Sequence, residues 1–134
     1  MLTEVDLDNI LRAKAAMFSG YTCLLDKLGL SVDSLDRVII AGAFGSFINL
    51  EHAVTIGLLP DIPRDKFSFI GNSSLKGARL AVTDRKLFRR SRDIARSMTN
   101  IELSEDPSYM DNFMAALFLP HTRAELFPSV HVDT

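Results

Sequence analysis

Apolar residues recur at three- and four-residue steps between about positions 5 and 28, at Leu7, Ile10, Leu11, Met17, Phe18, Tyr21, Leu24, Leu25 and Leu28. That period predicts one long amphipathic helix. Thr3 or Asp6 is placed to cap its start, and Gly29 to stop it. Lys14 lies in the middle of the stripe, four residues after Ile10 and three before Met17. Either its stem packs and its ammonium escapes to water, or the charge is aimed into a cleft.

After residue 35 the period changes. Val38, Ile39 and Ile40 form a β-branched run that breaks into Ala41-Gly-Ala-Phe-Gly-Ser46, a strand followed by a glycine turn. A short helix over about 50–56 ends at Gly57, and Pro60 and Pro63 stiffen the connection that follows. A second strand over 67–70 ends at Gly71 and meets Asn72-Ser-Ser74, a helix-capping cluster. The helical pattern over 73–98 breaks near 82–84. A third strand is expected at 101–103, and Asp106-Pro107 opens a last helix to about 118, apolar at Met110, Phe113, Met114, Leu117 and Phe118. Residues 119–134 are punctuated by Pro120 and Pro128 and are too apolar for a free linker.

This order predicts an α/β fold in three layers, with a short, mostly parallel sheet flanked by helices. Residues 1–118 would form the lobe, and 119–134 a tail packed on it. Three short strands are few for this much apolar surface. The pattern therefore implies a missing half, or a second copy pairing through the open sheet edge.

Composition narrows the functional classes. The 134 residues are 47% hydrophobic, enough for one core, and the net charge of −2 argues against bulk electrostatic binding of nucleic acid. Cys23 is the single cysteine, so the chain can form neither an internal disulfide nor a cysteine-ligated cluster. Its helical apolar surroundings suit a buried thiol. No apolar run is long enough to span a bilayer, and the acidic start lacks the basic region of a secretion signal. The chain reads as cytoplasmic, with no membrane partner.

Three features carry candidate chemistry. Gly42 and Gly45 let the backbone turn sharply after a strand, where α/β proteins bind ligands, although many use glycine there only to turn. Asn72 and Ser73 sit at a strand–helix junction whose free N–H groups suit an anion, or serve only to cap the helix. Arg85, Arg89, Arg92 and Arg96 line one helix face, either solvated or docking an acidic partner. His52, His121 and His131 lack metal-ligand spacing, Glu51 beside His52 does not face it on a helix, and His121 has no evident nucleophile nearby in sequence, so a stand-alone hydrolase is disfavoured and no catalytic residue is assigned.

Several segments together resemble one family. They are Asp8-Asn-Ile-Leu-Arg-Ala-Lys-Ala-Ala16, Ile40-Ala-Gly-Ala-Phe-Gly-Ser-Phe-Ile-Asn49, Ile56-Gly-Leu-Leu-Pro-Asp61, Phe69-Ile-Gly-Asn-Ser-Ser-Leu-Lys-Gly-Ala78, Ile101-Glu-Leu-Ser104 and Phe118-Leu-Pro-His121. In this order they are similar to the C-terminal part of the reductive activators of corrinoid proteins. Those activators belong to the acetate-kinase, sugar-kinase, heat-shock-chaperone and actin superfamily.

The resemblance implies a partial ribonuclease H-like lobe, with ATP and magnesium bound in a cleft that a second lobe completes. It places Gly42, Ala43, Phe44, Gly45 and Ser46 on the adenosine side, with Lys14 as a further contact and Asn72 and Ser73 at the rim. It also implies a larger parent protein whose N-terminal domain carries an iron–sulfur cluster and whose partner is a corrinoid protein reduced to Co(I). Neither the cluster ligands nor a phosphate loop is present here, so the chain by itself is not expected to hydrolyse ATP or transfer electrons. The competing expectation is a protein-interaction domain without nucleotide, docking an acidic partner through its arginine-lined helix.

Overall fold

The computed structural model describes residues 3–131. Helix α1 spans Glu4–Leu28, and its start is a reciprocal capping box: the Asp6 amide donates to Thr3 Oγ1 at 3.3 Å, and the Thr3 amide donates to Asp6 Oδ2 at 2.9 Å. Its end is a glycine stop. Gly29 has φ 65°, and the Leu30 amide reaches back to the Leu25 carbonyl at 2.9 Å.

The chain divides into two compact units, the first made of residues 1–36, 49–66 and 102–134. In it α1 packs against α5, Tyr109–Ala116. Of the stripe of large apolar residues on α1, Phe18 alone is buried. Lys14, Ala15, Phe18, Ser19 and Cys23 are buried, whereas Leu7, Ile10, Met17, Leu24 and Leu28 are exposed. Small side chains at 15, 19 and 23 explain the shift, because they let a neighbouring backbone approach closely. Ala116 of α5 is fully buried, and Cys23 Sγ lies 3.7 Å from both Ser108 Oγ and Asn112 Nδ2.

Helix α2, Leu50–Thr55, is capped by Asn49, whose side chain accepts from the His52 amide at 3.0 Å. It buries Ala53 and Val54. The segment after it adds Leu59 and Ile62 to the core. The proline-punctuated tail packs on this same unit through 131: Pro120, His121 and Phe127 are buried, and residues 132–134 lie outside the described residues. Asp61 fastens the tail. Its carboxylate accepts from the Ser129 amide and hydroxyl, each at 2.7 Å, and from Arg64 Nη1 at 2.9 Å.

The second unit comprises residues 37–48 and 67–101. Strands β1, Val38–Ala41, and β2, Phe67–Gly71, pair in parallel, with Val38 opposite Phe67 and an irregularity between Ile40 and Ala41. Helix α3, Ser73–Thr83, and helix α4, Arg85–Ser97, follow. Asp84 separates them: its amide closes α3 on the Leu80 carbonyl, and its carboxylate opens α4 by accepting from the Lys86 amide at 2.7 Å.

Two sequence expectations are corrected here. Residues 101–103 form no third strand, so the sheet has two strands among the described residues. The chain there closes on itself, with Glu105 and Asp106 amides donating to the carbonyls of Glu102 and Leu103 to make a 3-10 turn, Leu103–Glu105. A three-residue run is short enough for such local bonds to displace a ladder. Helix α5 is also shorter than the expected 107–118. Asp106 accepts from the Ser108 amide and hydroxyl and delays its start, and the turn at 117–120 ends it.

Candidate functional site

The carboxyl ends of β1 and β2 lie side by side, because the parallel pairing, with a one-residue shift after Ile40, puts Ala41 opposite Gly71. The Gly42 amide donates to the Gly71 carbonyl at 2.8 Å, carrying the pairing one residue past β1. Both chains then turn at glycines with positive φ, 99° at Gly42 and 64° at Gly71. A residue with a β-carbon would be strained at either position. A β-carbon on Gly42 would meet no atom within 4 Å, so the space beside that turn is open.

Gly45 has a different reason for being glycine. A β-carbon there would fall 2.6 Å from Ile40 Cγ2, so the 3-10 turn Phe44–Phe47 folds tightly back on β1. Of the two uses expected for these glycines, turning the chain and admitting a ligand, the turn is seen at Gly42, whose φ is 99°, while internal packing accounts for Gly45.

Across the turn, Asn72 caps α3 by accepting from the Leu75 amide at 2.9 Å. The amides of Ser73 and Ser74, in the first turn of α3, receive no partner among the described residues. Lys76 is one helical turn further on, and its Nζ donates to the Ile70 carbonyl at 2.6 Å. A cation therefore sits at the carboxyl end of β2, next to free helical N–H groups. Sequence reasoning missed it. The signal was the i+4 spacing from Asn72, which returns a long side chain to the strand end.

These residues, 42–46 and 72–73 together with Lys76, share one unit and one sheet edge. Lys14 belongs to the other unit. It is fully buried, and its Nζ donates to the Phe118 carbonyl and, at 2.6 Å, to the Pro120 carbonyl. Burial pushes its pKa down to about 8. The ammonium neither snorkels to water nor stands free: it holds the turn that follows α5. Gly57 makes room for this arrangement, since a β-carbon there would lie 2.2 Å from the Pro120 oxygen and 3.2 Å from Lys14 Nζ.

His121, next in the chain, stacks on Phe18 with ring centroids 4.6 Å apart. Its Nδ1 accepts from the Arg123 amide at 3.0 Å, and its Nε2 is buried without a partner among the described residues. Burial, then the charges of Arg123 and Lys14, lower its pKa against the pull of Glu125. His121 is thus a buried core residue, and His52 and His131 are exposed. Among the described residues no group of three His, Cys, Asp or Glu is placed to hold a metal, and no helix is long and apolar enough to cross a membrane.

A glycine turn and a helix N-terminus at the carboxyl edge of parallel strands are where open α/β sheets bind ligands, and the whole-chain matches give the class, the actin-like, or ASKHA, architecture. Residues 1–131 match the family model described as the C-terminal domain of RACo, the ASKHA domain. The chain belongs to that family. It is 34% identical over 114 residues to the corrinoid activation enzyme RamQ of Eubacterium limosum, covering 85% of this chain and 19% of that protein. A solved structure of a reductive activator for corrinoid,iron-sulfur protein superposes with a TM-score of 0.91 at 53% identity, over 96% of this chain and 20% of that one. The chain therefore spans about a fifth of the length of these relatives.

Proposed function

We propose that this chain supplies the adenosine-side part of a nucleotide cleft in an ATP-dependent reductive activator, one that returns a corrinoid protein to its Co(I) state. The observation that carries the nucleotide assignment is the paired carboxyl edge, where Gly42 and Gly71 turn side by side at the start of α3. The names of the relatives support the corrinoid protein as the partner.

The residues present fit one side of a nucleotide. The open space beside Gly42 admits a flat group against the backbone of residues 42–46. The Ser73 and Ser74 amides and the Lys76 ammonium offer donors and positive charge at the adjoining rim. Asn72 keeps its carbonyl on the helix and leaves its amide nitrogen for the ligand. Lys14 contributes by fixing the turn at 118–120. When bound, ATP with magnesium supplies the favourable event to which an uphill reduction is coupled. The chain's own part is to bind the nucleoside more tightly in one conformation of the activator than in another, which shifts the population toward that conformation.

The test uses an activator that carries this chain as its C-terminal part. Gly42→Val should abolish ATP-dependent formation of Co(I), followed by its cobalt absorbance, while electron transfer to the cluster from a chemical reductant persists. Full ATP-dependent activity in a correctly folded Gly42→Val protein would contradict the assignment.

A further inference from the structure

The net charge of −2 conceals a division. The unit formed by residues 37–48 and 67–101 carries nine lysines and arginines against two aspartates, a net of +7. The other unit carries six against fifteen acidic residues, a net of −9. This acidic unit holds a cavity of about 370 Å³, within the size range of small-molecule sites. No residue of the candidate nucleotide edge lines it.

Four stretches of chain wall the cavity. Along α1, Phe18, Tyr21, Thr22, Leu25 and Asp26 recur at three- and four-residue steps and so share one helix face. Residues 30–33 after the helix, Pro60 and Asp61 after α2, and tail residues between Arg123 and Pro128 supply the other sides. The bonds from Ser129 to Asp61 hold the tail wall in place. The interior is apolar and aromatic: Phe18 and Phe127 are buried, with ring centroids 6.1 Å apart. Asp26, Asp33, Arg123 and Glu125 are exposed, so the charges stand at the mouth.

The mouth has a sign. Among the described residues Asp26, Asp33 and Glu125 make no ion pair, and neither does Arg123. Three free carboxylates thus outnumber one guanidinium, in a unit that is acidic throughout, which favours a cation over an anion. The wall also holds two unused hydroxyls. Tyr21 Oη and Thr22 Oγ1 are buried without a hydrogen-bond partner among the described residues. Ser19, one turn earlier, shows the usual remedy by donating to the Ala15 carbonyl at 2.8 Å, and Thr22 forgoes the equivalent bond. Burial raises the Tyr21 pKa, so the phenol keeps its proton and can both donate and accept. Buried polar groups in native proteins are rarely left in this state, and a bound ligand is one way to pair them.

We infer that this cavity binds a small organic cation, an arylalkylammonium with a polar group on its ring. The ammonium meets the carboxylates of Asp26, Asp33 and Glu125, the ring lies among Phe18, Tyr21 and Phe127, and the polar group pairs with the Tyr21 and Thr22 hydroxyls. The enclosure selects a small molecule, since walls on several sides leave no flat face for a macromolecule. The site stands apart from the nucleotide reading, because the acidic mouth repels phosphates.

The test is an amide NMR titration of the chain at low salt, into the millimolar range, with tyramine as the probe. Saturable shifts are expected within residues 21–33 and 124–127. The same phenol carrying a propanoate chain should give no response, and para-ethylphenol, which lacks the ammonium, should bind roughly tenfold more weakly. Asp26→Asn with Asp33→Asn changes two exposed side chains that make no ion pair, so the fold should persist while tyramine binding weakens about fivefold. Phenethylammonium, without the hydroxyl, should bind severalfold more weakly than tyramine to the parent chain, and equally to Tyr21→Phe with Thr22→Val. The inference is overturned if the propanoate binds as well as tyramine, if the asparagine variant binds like the parent chain, or if no probe moves these amides.

Discussion

Individual residues divide here into those whose chemistry is explained by the chain itself and those left facing outward. Gly42 shows both. Its φ of 99° excludes other residues on conformational grounds, while its open flank is what a ligand would use. Gly42→Ala should therefore cost about 1–3 kcal/mol as backbone strain, read from the urea midpoint. Gly45→Ala should cost a comparable amount for a different reason, overlap with Ile40 Cγ2. A double-mutant cycle with Ile40→Ala should recover most of the Gly45→Ala loss and none of the Gly42→Ala loss.

Lys14 makes a prediction in pH. Its folded pKa of about 8 lies below the ordinary 10.5. Below pH 8 both folded and unfolded chains keep the proton, and this group gives stability no pH dependence. Between about 8 and 10.5 the unfolded chain holds the proton that the folded chain releases, so stability rises with pH. Urea melts across this range should show that rise in the parent chain and not in Lys14→Met. The variant should also lose roughly 1–3 kcal/mol at neutral pH, because two carbonyls lose their donor. Lys14 was conspicuous in the sequence as a charge within an apolar stripe. What it holds was not legible, because its acceptors lie more than a hundred residues away.

At the scale of elements, punctuation was easier to read than packing. The caps of α1, the glycine ends of both strands and the break at Asp84 all follow from local chemistry within a few residues, so the sequence displays them. The buried face of α1 is set by what approaches it. The close contact with α5 selects Ala15, Ser19 and Cys23 over larger neighbours, and periodicity alone cannot report that. The expected strand at 101–103 failed for a similar reason: extension needs a neighbouring strand, and local turn bonds were available first.

The fastening of the tail by Asp61 was equally invisible, since Ser129 lies 68 residues on. Burial raises the Asp61 pKa, but hydrogen bonds from Ser129 and Arg64 and the charge of Arg64 outweigh it and leave the pKa below the usual value. A depressed carboxylate contributes stability that is present above its ordinary pKa and lost as pH falls through the folded one. Asp61→Asn should cost about 1–2 kcal/mol at neutral pH and flatten the acid limb of the stability curve. Acid-titrated circular dichroism would measure both effects.

Across the whole molecule, the two units differ in how much they bury. One has a core built from α1, α5, α2 and the tail, including Phe18, Val54, Leu59 and Phe127. In the other, α3 and α4 bury no residue, and Leu75, Leu80, Val82, Phe88, Ile94 and Met98 are exposed. Amides of α3 and α4 should then exchange with deuterium at least about tenfold faster than those in the middle of α1. Equal protection in both units would count against this description. The candidate site belongs to the unit whose helices bury no residue. The family was legible because its matching segments keep their order along the whole chain. The division of charge was not, because it appears only when residues are grouped by contact rather than by sequence.

The central claim is that the paired carboxyl edge of β1 and β2 receives a nucleotide. The most direct test is an amide NMR titration of the chain with Mg-ATP, assigned residue by residue. The account predicts saturable shifts at residues 42–45 and 71–74 and at Lys76, with α1 and α5 silent. A dispersed spectrum with no response there, or with shifts confined to the Phe18, Tyr21 and Phe127 side of the other unit, would contradict it.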